Sequence, residues 1–271
     1  MHRFLLLTLA TFAACTVQGQ PPEPVLAVPD KLVLQADFNQ PMQLPKSIWA
    51  TRQGTRWTVE NGVLRGRQSS QEYQASREHH FGYEPRLSIP VTPADFIATF
   101  RIRFTGGSIT SVTPFIEFDH HVCRVRFGKD STMLLADHEI WKVAEAQDFV
   151  LSRDHWYAIT AERKGTEFVM QITDGTLLYA DHSEFGKTPQ TGGRGMGVAG
   201  PKKGEVEIDD LKIWAVQKHV NPRWSTTRAR IPDFTPVQLK TRKPSKTSRT
   251  RGRDGKGPAK AGESSQPKSR Q

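Results

Sequence analysis

The sequence predicts an all-β protein, an antiparallel sandwich or barrel of about a dozen strands, and three observations carry that prediction. Short runs rich in β-branched and aromatic residues recur between residues 31 and 216. Turn residues separate them, and helical periodicity is almost absent.

In chain order, residues 20–30, with Pro21, Pro22, Pro24 and Pro29, read as an extended leader. Strand runs follow at 32–38, 57–59, 63–67, 96–104, 115–118, 122–127, 133–136, 156–163, 168–173, 177–182, 196–199 and 206–216. Asn61-Gly62, Gly106-Gly107, Gly128-Lys129-Asp130, Lys164-Gly165 and Asp174-Gly175 supply the backbone freedom that hairpin turns need. Only 143–150 suggests a helical turn or two.

Two runs alternate clearly. Phe96, Ala98, Phe100, Ile102 and Phe104 share one face, with Thr99, Arg101 and Arg103 on the other. Cys123, Val125 and Phe127 point inward, with Arg124 and Arg126 outward, so Cys123 is expected to be a buried, unreactive thiol. A two-residue turn at Asp119-His120 would pair Glu117 with Val122 and Phe115 with Arg124, giving one sheet face that carries Glu117 and all four arginines. Such a face is either a solvated lattice of ion pairs or a surface for anionic or sulfated glycans, which guanidinium groups bind bidentately.

The ends read differently from the middle. Residues 1–19 resemble a signal peptide: Arg3 precedes an apolar run of about 11 residues, too short for a spanning helix of roughly 20. The expected location is secreted or periplasmic. Phe12-Ala13-Ala14-Cys15 leaves lipid attachment at Cys15 as an alternative. Charge is concentrated at the other end: residues 217–271 hold 15 Lys+Arg against 3 Asp+Glu, net +12, and residues 1–216 hold 23 against 25, net −2. The basic pI therefore gives no ground for reading the folded part as a nucleic-acid-binding domain. Residues 217–271 are expected to form a basic disordered tail. They would bind anionic envelope polymers or lipid head groups, or act only as a solubilising extension, and deleting 220–271 is expected to leave the sandwich intact. A monomer with no specific nucleic-acid partner is expected.

Three segments narrow the fold. Ala36-Asp37-Phe38 with Trp57-Thr58-Val59-Glu60-Asn61-Gly62-Val63-Leu64, the hairpin from Trp156 through Asp174-Gly175, and the ending Gly195-Met196-Gly197 with Val206-Glu207-Ile208-Asp209-Asp210-Leu211-Lys212-Ile213-Trp214 resemble concanavalin A-like lectin/glucanase domains. Secreted 3-keto-disaccharide hydrolase-type and laminin-G-like sandwiches are the nearest in pattern. The resemblance implies a jelly-roll β-sandwich over 31–216 that recognises carbohydrate; the alternatives it leaves are a glycoside-cleaving enzyme and a structural envelope domain. Trp57, Trp156 and Trp214 fall at apolar-phase positions and are expected in the core.

A laminarinase-type enzyme of this superfamily carries Glu-x-Asp-x-Glu on one strand. Here the string is Glu117-Phe118-Asp119-His120-His121, so the third acid is a histidine and a retaining glucanase is excluded. Glu117, Asp119 and His121 remain the catalytic candidates. Arg101, Arg103, Arg124, Arg126, Trp141 and Tyr83 are the ligand-binding candidates, the aromatics because loop rings stack on sugars. Adjacent histidines such as His120-His121 supply at most one ligand from a strand, and more only from a turn. No His-x-His spacing is present, so no metal centre is assigned; Ca²⁺ is possible at Asp209-Asp210, but no motif requires it.

Overall fold

A computed structural model describes residues 19–90, 92–189 and 193–241. The expectations about residues 1–18, Cys15 and 242–271 lie outside the described residues. Among these, no helix is long and apolar enough to cross a membrane.

The strands are β1 (Ala27–Ala36), β2 (Ala50–Thr51), β3 (Arg56–Glu60), β4 (Val63–Arg67), β5 (Arg86–Ile89), β6 (Phe96–Ser108), β7 (Phe115–Phe118), β8 (Cys123–Phe127), β9 (Thr132–Ala136), β10 (Trp141–Ala146), β11 (Tyr157–Lys164), β12 (Glu167–Ile172), β13 (Leu177–Asp181), β14 (Met196–Ala199), β15 (Lys202–Val220) and β16 (Val237–Gln238). Two short helices, α1 (Gln71–Ala75) and α2 (Trp224–Arg228), join them. One sheet runs β13-β12-β11-β6-β15-β4-β3, with β1 also on β15; the other runs β16-β10-β9-β8-β7-β14-β5-β2. Long β15 serves three partners: β6 along one edge, with a register shift after Asp209, and along the other edge β4 at Val206–Ile208 and then β1.

The alternation is borne out, and it defines the core. Phe96, Phe100, Ile102 and Phe104 from β6 are buried in one cluster with Phe118 from β7 and with Cys123, Val125 and Phe127 from β8. Rings from the two sheets meet at Phe96–Phe118 (4.8 Å) and Phe104–Phe127 (5.8 Å). Cys123 is fully buried, and burial pushes its thiol pKa well up.

Five expectations need correction. β6 and β8 belong to different sheets, so their outward arginines point away from each other: Arg101 and Arg103 do not share a face with Arg124 and Arg126. The β7–β8 connection is residues 119–122 rather than a two-residue turn, and it pairs Glu117 directly with Arg124. Residues 141–146 form strand β10, with no helical turn there. Trp57 is buried, but Trp156 and Trp214 are only half-buried and lie outside the core cluster. Finally, neither end of the sandwich stops where composition suggested.

The leader and residues 221–228 are bound to the outer face of the first sheet. Glu162 on β11 accepts the backbone N–H groups of Val25, Leu26 and Ala27 at 2.8, 3.0 and 2.8 Å. Burial raises its carboxyl to about 7 against the pull of those three donors. Asn221 donates to the Pro24 carbonyl at 3.0 Å, and α2 sets buried Trp224 against Leu26 and Val169, with its indole N–H on Glu167 Oε1 at 3.2 Å. β16 then pairs with β10. Deleting residues 221–271 is therefore expected to cost about 3 kcal/mol, as removal of a buried tryptophan does. Deletion from 242 onward removes none of these contacts, and the two truncations are compared by the midpoint of thermal unfolding.

Candidate functional site

The outward face of the second sheet carries the polar residues that converge. Its geometry begins with Asp119, at the end of β7, where the backbone takes φ +58°. The Asp119 carboxylate is fully buried. It accepts from Arg163 Nη1 at 2.7 Å, from Arg194 Nη1 at 3.0 Å and from the Gly195 N–H at 3.0 Å. Its own N–H donates to the Gly195 carbonyl at 2.7 Å. Asp119 thus ties the 119–122 loop to β11 of the opposite sheet and to the start of β14. It is a strut, sealed from any substrate.

The loop leading into β10 completes the frame. Asp137, His138 and Glu139 have φ of +49°, +53° and +63°, and the His138 N–H donates to the His121 carbonyl at 2.8 Å. Three consecutive left-handed residues are rare outside sites where the surroundings impose them. The result is that Glu139 reaches Arg124 across the sheet.

Glu117 and Arg124 face each other on β7 and β8. Arg124 donates to Glu117 Oε2 from Nε (3.1 Å) and Nη2 (2.6 Å), bonds Glu139 through Nη1, and lies over the Phe115 ring at 4.0 Å. His120 Nδ1 lies 3.4 Å from Glu117 Oε1. Burial by itself would raise the Glu117 carboxyl, but His120 and Arg124 outweigh it and hold the pKa at about 2. The His121 pKa is lowered as well, to about 4, by burial first and then by neighbouring His120 and Arg124. Arg126 is 3.7 Å from Glu139.

Beside Glu117 the surface drops into a groove of about 290 Å³. Small residues make it: Ser88 on β5 and Gly197 on β14 sit side by side and next to Glu117. A Cβ on Gly197 would come within 2.8 Å of Glu117 Cγ, so only glycine leaves Glu117 its place. Arg52 and Arg86 form the far wall. Arg52 Nε donates to Ser88 Oγ at 3.1 Å. Arg86 Nε is buried without a hydrogen-bond partner among the described residues, its nearest carboxylate being Glu84 at 4.0 Å. Burial, with Arg124 adding to it, lowers the Arg86 pKa against the pull of Glu84 and Glu117.

The remaining sequence candidates lie elsewhere. Arg101 is paired with Asp209 (3.3 Å) and Asp210 (3.2 Å), and Arg103 with buried Glu207, on the outer face of the first sheet; both lie near the Trp156 ring, at 4.9 and 5.0 Å. That face is a self-satisfied ion-pair lattice. Tyr83 stacks on Phe81 at 5.2 Å, and Trp141 packs against the core; neither lines the groove. Sequence reasoning brought Glu117, Arg124 and Arg126 together correctly and missed Arg52, Arg86, Ser88 and Gly197. The signal available was Arg86-Leu87-Ser88-Ile89, a four-residue polar-apolar alternation stopped by Pro90.

No family model and no curated protein matches the chain. Among solved structures, it is similar to the carbohydrate-binding module CBM66 from Bacillus subtilis, with a TM-score of 0.44 and 14% identity over 65% of this chain and 100% of that one. It is similar also to SCLam, a non-specific endo-β-1,3(4)-glucanase from family GH16 (0.47 and 11%, over 73% and 96%), and to the exoplasmic/lumenal domain of VIP36 bound to Ca²⁺ and Man3GlcNAc (0.43 and 9%, over 73% and 95%). Likenesses this distant transfer no activity. The fold rests on the chain's own architecture: two antiparallel sheets closed on one core.

Proposed function

We propose that the groove between Glu117 and the Arg52/Arg86 wall recognises an anionic glycan, carrying carboxylate or sulfate, and that the chain is an exported carbohydrate-binding sandwich. The observation that carries this reading is the pair Arg52 and Arg86 in the lining of an open groove, where Arg86 Nε has no hydrogen-bond acceptor among the described residues and only Glu84, at 4.0 Å, as an ion-pair partner. An anionic oxygen in the groove would give these two guanidinium groups a charge-assisted hydrogen-bond partner. The volume is near the lower end of small-molecule sites, roughly 300–1,000 Å³, which suits a few sugar units entering from the surface.

A binding role fits the carboxylates better than glycoside cleavage does. Hydrolysis by paired carboxyl groups needs one of them protonated near neutral pH. Glu117, held at about 2, stays ionised, and Asp119 is locked in its strut. In this reading the 1–19 segment directs export, and the basic stretch beyond residue 241 adds salt-sensitive attraction to polyanions. A glycan array run beside a reducing-sugar release assay tests the reading. Binding enriched in uronate or sulfated glycans, without sugar release, is expected; release of reducing ends, or binding confined to neutral glycans, would overturn it.

A further inference from the structure

At the rim of the same groove, two adjacent histidines sit in a turn and not in a strand. His121 has φ +63°, which brings the His120 and His121 rings to the same side, with centroids 3.9 Å apart. Glu117 lies three residues before His120, and one donor atom from each of Glu117, His120 and His121 falls within 4.8 Å of the others. The ring of His138 stacks on His121 at 4.7 Å, and the His138 backbone N–H donates to the His121 carbonyl, so the turn is fixed from a second loop.

We propose that Glu117, His120 and His121 form a binding site for a borderline divalent transition cation, of which Zn²⁺ is the representative. Two imidazoles with one carboxylate suit Zn²⁺, Cu²⁺ or Ni²⁺; Ca²⁺ and Mg²⁺ prefer all-oxygen shells. Three protein ligands leave a tetrahedral ion one position for an outside oxygen. Glu117 and His120 also line the groove, so that position adjoins the space assigned above to an anionic ligand.

Arg124 is the nearest cation, and its charge is already matched: it bonds both Glu117 and Glu139. Its Nη2 also donates to His121 Nδ1 at 3.1 Å. A metal ion on His121 Nδ1 replaces only that contact, since the same nitrogen keeps Glu117 Oε2 at 2.6 Å. Glu117 Oε1, the oxygen that faces His120, remains for the ion. The guanidinium then serves the site as an outer partner that orients the ligating carboxylate.

The test is a titration of the untagged full-length chain with ZnCl₂ alone, in the absence of any sugar, against a chromophoric chelator. One equivalent of Zn²⁺ is expected to bind. His120→Ala, at an exposed ring, and His121→Asn, which tolerates the left-handed backbone, are each expected to weaken binding by at least about tenfold. His79→Ala with His80→Ala, an exposed pair elsewhere, is expected to change nothing. Absence of Zn²⁺ binding, binding unaltered in His120→Ala and His121→Asn, or loss confined to the His79/His80 variant would overturn the proposal. Circular dichroism identifies an unfolded His121→Asn, in which case His120→Ala decides. Because no sugar is present, failure here leaves the glycan reading to be judged on Arg52 and Arg86.

Discussion

Asp119→Ala is expected to destabilise the protein by about 3–5 kcal/mol, because it leaves Arg163 buried with its charge unmatched. The buried ion pair has a 2.7 Å contact and links β11 of one sheet to the end of β7 in the other. The variant also strips the acceptor from the Gly195 N–H and one partner from Arg194. For a chain of this size the midpoint of thermal unfolding should fall by roughly 10 °C. Calorimetric scans of the two proteins provide the check. A catalytic aspartate would behave in the opposite way, with stability kept and turnover lost, so an unchanged midpoint would contradict the strut.

The second large effect is in the acid limb of stability. Glu117 has a folded pKa of about 2 against an ordinary value of 4.5. A depressed carboxyl contributes stability that is complete above the unfolded value and is lost as pH falls through the folded one. At about 1.36 kcal/mol per pKa unit, the contribution is about 3 kcal/mol at pH 5 and has largely disappeared near pH 2. Glu117→Gln cannot lose it. The stability gap between wild type and Glu117→Gln, measured by urea unfolding, is therefore expected to narrow by about 3 kcal/mol between pH 5 and pH 2. A gap that stays constant would mean that Arg124 and His120 do not hold this carboxylate.

Most of the fold was legible because period-2 alternation states which side chains face the core. Phe96 to Phe104 and Cys123 to Phe127 are buried as that pattern requires. Alternation is silent about which sheet a strand joins. Arg101 and Arg124 look equivalent in sequence, yet they lie on opposite faces of the sandwich, because the only shared reference is the core between them. Register failed for a related reason: the 119–122 connection depends on Asp119 reaching Arg163 and Gly195, contacts 44 and 76 residues away in sequence. The end of the fold was misplaced because net charge was read over the whole of 217–271, which hid Trp224 and the β16 pairing among lysines and arginines. Of the site, Glu117 and Arg124 could be read from neighbouring strands. Arg86 could not: its place beside Arg52 in the groove, with Nε lacking a hydrogen-bond acceptor among the described residues, appears only once the strands are packed.

In the proposed function, Arg52 and Arg86 make the groove a receptor for an anionic sugar. The most direct measurement is isothermal titration of an oligouronate and of a neutral oligosaccharide of the same length into wild type and into the Arg52→Ala, Arg86→Ala double variant, at low and high salt. Hydrogen bonds to a charged partner contribute roughly 1.5–3 kcal/mol each, so the double variant should lose the oligouronate by at least about tenfold. Wild type should prefer the oligouronate and retain part of its affinity at high salt, since these contacts are partly buried and poorly screened. Equal affinity of wild type and double variant for the oligouronate, or a preference for the neutral sugar, would rule out this role for the two arginines.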